Sequence, residues 1–155
     1  MNMKKILITL FFVGMAVISQ AQYKVAVGIR LLDGPQVTGK FALGGNKAAE
    51  ALVGGFGNGL KGTLLYEIHQ SAFNSNQWRW YYGAGAHMGA SPVRRKNYDA
   101  PAAVFHVGVD GIIGLEHTFN EIPLNFGIDW KPELNFVNYS GVYLPNFGLS
   151  FRLAF

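Results

Sequence analysis

The sequence predicts an all-β protein, an eight-stranded antiparallel up-and-down transmembrane β-barrel. Three observations predict it: an export-type amino terminus, segments in which every second residue is apolar, and short turn-forming connections between these segments. Alternation with a period of two indicates strands with one apolar and one polar face. Successive strands joined by short turns pair antiparallel, and a meander of eight tends to close on itself because closure removes both exposed edges.

The amino terminus has the features of a signal peptide. A basic pair, Lys4-Lys5, precedes an apolar run over residues 6–18, and Ser19-Gln20-Ala21 supplies small residues at the cleavage positions. The run is shorter than the roughly 20 apolar residues of a membrane-spanning helix. We therefore predict a signal peptide over residues 1–21 and an outer-membrane β-barrel over residues 22–155.

Charge and composition exclude several classes of protein. Removal of Lys4 and Lys5 lowers the formal net charge from +4 to +2, a balance that argues against a nucleic-acid partner. The chain has no cysteine, so neither a disulfide framework nor a thiolate metal site is available. No cofactor is expected.

The clearest predicted strand is the last, residues 147–155, where large apolar residues alternate with small or polar ones. Residues 105–116 and 124–131 follow the same rule. Five earlier strands are predicted at about 23–31, 37–44, 48–56, 60–70 and 77–89. The third of these has an alternative, because residues 47–53 also fit a short helical turn.

Turn residues separate these segments. Pro132 lies inside the seventh strand and predicts a bulge or an end to the pairing, because proline cannot donate to a ladder. The glycine-rich run 54–59 lacks the spacing of a phosphate loop and is interpreted as a tight turn. The predicted turns are Asp33-Gly34-Pro35, Gly44-Gly45-Asn46, Gly57-Asn58-Gly59, Asn74-Ser75-Asn76 and Asn120-Glu121-Ile122-Pro123.

The polar faces of the strands predict a charged interior. Charges of both signs fall on these faces and can pair within a narrow barrel, whereas the opposite orientation would crowd many aromatic rings into eight strands. A soluble lipocalin-like periplasmic carrier stays open as an alternative, since its strands alternate similarly. The predicted interior residues are Lys24, Arg30, Lys40, Lys61, Glu67, Arg79, Asp110, Glu116, Asp129, Lys131 and Arg152.

The carboxyl-terminal segment Phe147-Gly-Leu-Ser-Phe-Arg-Leu-Ala-Phe155 resembles the insertion signal of outer-membrane barrels. Together with residues 80–87, 108–116 and 122–132, it makes the chain similar to small eight-stranded barrels of the Bacteroidota type, loosely OmpA/OmpX-like. The resemblance implies the cell outer membrane, its lipid bilayer and the barrel assembly machinery as partners, but no substrate. It also implies an assembly signal at Phe151, Leu153 and Phe155. The short outer loops and Pro132 depart from the pattern.

The candidate ligand sites have structural alternatives that we favour. His69, His87 and His106 share the inward parity and could bind a metal, but hydrogen-bonded interior histidines are preferred, so no metal is expected. His117 faces outward beside Phe119, as in barrel enzymes that cut lipid A. Because it lies at the periplasmic end of its strand, we interpret it as an interface residue.

The acid pairs, Asp129 with Glu133 and Asp110 with Glu116, are interpreted as members of a charge network, since each has a cation on the same face. Arg94-Arg95-Lys96 is either a solvated loop, which we favour, or a contact for lipopolysaccharide phosphates. The sequence thus predicts a non-catalytic barrel with a structural or surface-interaction role. A lipid-modifying outer-membrane enzyme is the alternative.

Overall fold

The protein is an all-β closed barrel of eight antiparallel strand positions. The computed structural model describes residues 23–56, 58–93, 102–138 and 140–155. The predicted signal peptide and the basic run Arg94-Arg95-Lys96 lie outside these residues. The strands are β1 Val25–Leu31, β2 Gln36–Gly44, β3 Lys47–Phe56, β4 Gly59–Ala72, β5 Ser75–Val93, β6 Ala102–Thr118, β7 Leu124–Trp130, β8 Glu133–Asn135, β9 Gly141–Tyr143 and β10 Phe147–Ala154.

Consecutive strands from β1 to β7 pair with each other, β7 pairs with β10, and β10 pairs with β1 to close the barrel. The ten strands fill eight positions because two positions are divided. β8 continues β7 along β6, and β9 pairs with β8 and so continues β10. The ends of the described chain and the turns β2–β3, β4–β5 and β6–β7 lie at one end, here the proximal end. Strands β1, β3, β5 and β8 end, and β2, β4, β6 and β9 begin, at the other end, here the distal end.

The strands are strongly tilted. The paired positions run from Leu124 once around the barrel and return to the same strand position at Leu134, a displacement of ten residues. With about 3.4 Å per residue and about 4.8 Å between eight strands, this displacement gives a tilt of about 40°. An eight-stranded barrel of this tilt has a lumen just wide enough for side chains.

The predicted all-β, eight-stranded antiparallel barrel is confirmed, with local differences. Residues 47–56 form β3, so the helical alternative for this segment is wrong, and cross-strand pairing overrides its weak helical pattern. The turn predicted at Asn74-Ser75-Asn76 is wrong by one residue. Ala72 pairs with Ser75, and the two-residue turn is Phe73-Asn74, both with positive φ. Asn74 favours that conformation, whereas Phe73 adopts it against its own preference.

Pro132 interrupts the seventh strand position without a bulge. Trp130 pairs with Ile113, and Glu133 pairs with Asp110 in the same register. The Pro132 carbonyl still accepts a hydrogen bond of 3.0 Å from the Gly111 amide. The proline therefore removes one donor and leaves the alignment intact.

The two faces of the wall differ sharply in chemistry. Inward-pointing side chains are largely charged or polar and buried, and outward-pointing ones are largely apolar and exposed. Among the strand residues whose side chains the structure describes, the charged one on the outward face is Lys47, at the proximal end. No helix in the described residues is long and apolar enough to cross a membrane.

Candidate functional site in the barrel lumen

The charged residues of the lumen form two networks at different heights. Strand alternation brings them inward, and the ten-residue displacement decides which of them meet. The proximal network consists of Lys40, Glu50, Glu67, His69, Glu116 and Arg152, with the polar residues Tyr23, Thr38 and Asn125. The distal network consists of Arg30, Lys61, His87, Asp110, Asp129, Lys131 and Glu133, with Asn135 and Asn146.

Lys40 is the centre of the proximal network. Its Nζ lies 2.8 Å from a carboxylate oxygen of Glu67 and 3.4 Å from those of Glu50 and Glu116. It also lies 4.0 Å from the centroid of the Tyr81 ring, a cation–π contact. All these side chains are buried, so the ammonium charge is balanced by neighbours and not by water.

Arg152 is the second permanent cation of the proximal network. Its Nη2 donates to Glu50 Oε1 at 2.5 Å, and its Nη1 donates to Asn125 Oδ1 at 3.1 Å. Its Nε donates to the Thr38 hydroxyl at 3.2 Å, and that hydroxyl contacts Glu50. The planar guanidinium thus joins residues from three other strands.

His69 lies between two carboxylates. Its Nε2 is 2.9 Å from Glu67 Oε2, and its Nδ1 is 3.2 Å from Glu116 Oε1. The ring stacks on Tyr81, with centroids 5.1 Å apart. Glu116 also accepts a hydrogen bond of 2.8 Å from the Tyr23 hydroxyl, which lies before β1. Burial raises the pKa of that phenol, so it stays a donor.

In the distal network Arg30 has one carboxylate partner. Its Nη2 and Nε donate to Asp129 Oδ1 at 2.6 and 3.1 Å, and both side chains are about 1% exposed. The same Nη2 donates to Asn146 Oδ1 at 3.1 Å, and Asn146 Nδ2 donates to Glu133 at 2.7 Å. Asn146 therefore connects this pair to the remainder of the network.

Two lysines converge on Glu133. Lys61 Nζ lies 2.7 Å and Lys131 Nζ 2.5 Å from Glu133 Oε1, and Lys131 also contacts Asp110 Oδ1 at 2.9 Å. The carboxyl of Asp33, in the β1–β2 connection nearby, is half-buried. Burial raises its pKa, while Lys61 opposes the shift.

His87, Asp110 and Glu133 are the described residues whose donor atoms could converge on a metal ion, since these atoms lie within 4.8 Å of one another. Lys131 already contacts both carboxylates, so an ammonium lies between the two acids. His87 Nδ1 is 2.8 Å from Asp110 Oδ2, and its Nε2 is 2.7 Å from Asn135 Oδ1. The geometry is that of a hydrogen-bonded charge network.

An apolar layer lies along part of the same wall. Leu52, Leu65, Tyr81 and Ile112 are buried against one another on β3, β4, β5 and β6. Tyr81 extends across Gly114, its registered partner, where a Cβ atom would lie 2.5 Å from the ring. The ion pairs described above all join members of the same network, so none of them connects the proximal network to the distal one.

Most of the predicted interior residues lie in these networks, but two do not join them. Lys24 is exposed: it precedes β1 at the proximal rim, and its amide donates to the Phe155 carbonyl at 2.6 Å. Alternation predicts that the Lys24 side chain points inward, but it does not indicate where the barrel wall ends. Arg79 is half-buried near the proximal end of β5, opposite Ser71 and Glu116, and no ion pair to a described residue is assigned to it.

The three inward histidines are not brought together. His69 belongs to the proximal network, whereas His87 and His106 lie at the distal end with ring centroids 6.2 Å apart. Each member of the two predicted acid pairs has a cation as a partner. Asp129 binds Arg30, Glu133 binds Lys61 and Lys131, Asp110 binds Lys131, and Glu116 binds Lys40.

Glu50 and Asn146 were missed by the sequence analysis. Glu50 lies in a segment that also fits a helical turn, so alternation alone does not define its face. Asn146 lies between β9 and β10, where no strand pattern exists. The inward alternation of Ala48, Glu50 and Leu52 is the signal that could have identified Glu50.

The outward candidates lie on the apolar face. His117 packs between Trp78 and Phe119, with ring centroids 4.5 Å from each. Phe151 is exposed, and Leu153 and Phe155 are half-buried on the same face.

Comparisons with protein-family models, with curated protein sequences and with solved structures find no match to this chain.

Proposed function

We propose that the protein is a non-catalytic barrel of the cell outer membrane, with a filled polar lumen and a structural or surface-interaction role. One observation carries the proposal: the barrel has charged residues inside and apolar residues outside. A folded protein in water has the opposite distribution, and a lipid bilayer favours this one.

The outer surface supports a lipid environment along a complete circuit of the wall. The circuit that begins at Leu124 has no charged residue and only apolar or glycine positions. Its members are Leu124, Leu153, Val27, Gly39, Ala51, Leu64, Ala86, Val109 and Leu134. At a tilt of about 40°, roughly ten residues cross an apolar band about 25 Å tall. β3 has ten residues, and the longer β5 and β6 have 19 and 17.

The lumen supports a structural role over the soluble carrier. A lipocalin-like carrier needs an apolar cavity for its ligand, and here Arg30, Lys40, Lys131 and Arg152 fill the interior with paired charges. The lumen also argues against a lipid-modifying enzyme. Two buried histidines have a carboxylate partner: the other nitrogen of His87 contacts Asn135, and that of His69 contacts a second carboxylate, so neither contacts a hydroxyl nucleophile.

The carboxyl-terminal strand supports assembly by the barrel assembly machinery. Its large apolar residues, Phe147, Leu149, Phe151 and Leu153, alternate on the outward face and are available before the strand pairs with β1. Lipopolysaccharide is proposed as a further contact through Arg94-Arg95-Lys96.

Charge placed on the outer wall tests the proposal. Leu64 is 63% exposed at the middle of β4, so Leu64→Arg would be harmless on a soluble protein. In a bilayer we expect a loss of about 2–4 kcal/mol of folding free energy and reduced recovery of a heat-modifiable band in the outer-membrane fraction. Leu32→Arg, in the exposed β1–β2 connection, is the matched control and should have a small effect. Recovery of the wild-type chain as a soluble periplasmic monomer, with both variants unchanged, would refute the proposal.

A further inference from the structure

The proximal network lacks one positive charge if His69 is neutral. Its carboxylates are Glu50, Glu67 and Glu116, and its permanent cations are Lys40 and Arg152, so three negative charges face two positive ones. All five side chains are at most 1% exposed. An uncompensated charge at such a site is costly, so the network needs one further positive charge, supplied by a proton on His69 or on a carboxylate.

The contacts of His69 indicate where that charge lies. A neutral imidazole has one N–H donor and one acceptor nitrogen. Here both ring nitrogens lie within 3.2 Å of oxygens from two different carboxylates, Glu67 and Glu116. A carboxylate oxygen facing an acceptor nitrogen would be repelled, whereas an imidazolium donates to both.

We propose that His69 is a proton-binding site that is held as an imidazolium and joins β4 to β6, so that its proton neutralises the proximal network. Loss of that proton at alkaline pH places two acceptors in contact and loosens the proximal end of the barrel. This proposal rests on the positions of side chains in the lumen. It does not depend on whether lipid or water covers the outer face.

The surroundings of His69 include groups from six other parts of the chain, which must be considered in any pH dependence. Lys40 opposes the proton, and the three glutamates favour it. The facing groups are Tyr23 before β1, Lys40 on β2, Glu50 on β3, Tyr81 on β5, Glu116 on β6 and Arg152 on β10, with Glu67 on the same strand. Arg79 on β5 is registered opposite Glu116.

Nitrogen NMR of the refolded full barrel with labelled histidine measures this directly. The chain has four histidines, and His69→Gln identifies the resonances of His69. At pH 8, above the ordinary histidine pKa of about 6.5, we expect protons on both ring nitrogens of His69. A single protonated nitrogen at pH 8 would overturn the proposal and would place the compensating proton on a carboxyl group.

A stability measurement provides the second test. Because the imidazolium stabilises the folded barrel, stability is present at low pH and is lost as pH rises through the folded-state pKa. We expect the heat-modification temperature of the wild type to fall by at least about 5 °C between pH 7 and pH 10. His69→Lys, which keeps a positive charge over most of this range, should fall less.

His87→Gln is the matched control, since it removes a buried histidine from the distal network. It should keep the alkaline fall of the wild type. If His69→Lys and the wild type lose stability in parallel, or if His87→Gln abolishes the fall, the proton-binding role of His69 is wrong.

Discussion

Replacing Asp129 with asparagine should strongly destabilise the barrel. Among the described residues Arg30 has one carboxylate within ion-pair distance, Asp129, and its other hydrogen-bond partner, Asn146, is neutral. Asparagine keeps the shape of the side chain and removes its charge. The guanidinium would then remain buried without a counter-charge, which is the situation that makes a broken buried pair costly.

The structure sets the expected magnitude. The side chains of Arg30 and Asp129 are both about 1% exposed, so solvent does not screen the pair. Removing one partner of such a pair costs about 3–5 kcal/mol. With a urea dependence of about 2 kcal/mol per molar, a loss of about 4 kcal/mol lowers the unfolding midpoint by roughly 2 M. Tryptophan fluorescence of the barrel refolded in vesicles measures it.

Two variants separate charge pairing from general damage. Arg30→Met with Asp129→Leu removes both charges and should recover much of the loss, because apolar replacement of a buried pair is often neutral. Glu121→Gln removes an exposed carboxylate from the proximal β6–β7 turn and should change stability by less than about 0.5 kcal/mol. If Asp129→Asn behaves like Glu121→Gln, or if the double variant is less stable than Asp129→Asn, the paired-lumen account is wrong.

Three further outcomes are expected. Planar bilayers should show no steady conductance, because paired side chains fill the lumen, and large stable steps would contradict this. The destabilising effects of Lys131→Met and Lys40→Met should add within about 0.5 kcal/mol in urea unfolding, since the two lysines bind different carboxylates, and strong coupling would show that the networks are joined. Deleting Phe155 should reduce membrane insertion without preventing export, as measured by fractionation, whereas normal insertion would remove its role in assembly.

The fold was predictable because one rule, alternation, operates along nearly the whole chain. It identified the strand positions of β4, β5 and β6 and the inward face of most charged residues. Alternation gives no information beyond the ends of the strands. Lys24 has the correct parity but lies at the rim, and the division of β7 from β8 depends on where a single proline falls.

The ion partners within the lumen were not predictable from alternation. Alternation predicts which side chains point inward but not their positions along the barrel axis. Arg30 meets Asp129 because β10 pairs with both β1 and β7: Arg30 is registered with Ser150, and Asp129 with Gly148, two residues away on β10. That register follows from pairing between strands that are distant in the chain and has no local sequence signal. The proximal arrangement of Glu50 around Lys40 was hidden for a second reason, since its segment has helical character.

The separation of ion partners along the chain has a consequence for folding. Arg30 and Asp129 are 99 residues apart, Lys61 and Glu133 are 72 apart, and Glu50 and Arg152 are 102 apart. A half-formed sheet would carry these charges without their partners, and its transfer into the hydrocarbon of a bilayer would be unfavourable. If the barrel inserts into a bilayer as we propose, partial sheets should therefore remain at the membrane surface, and insertion should accompany closure of the last strand onto the first. The interior charges thus favour a cooperative, all-strand insertion step over the gradual entry of single hairpins.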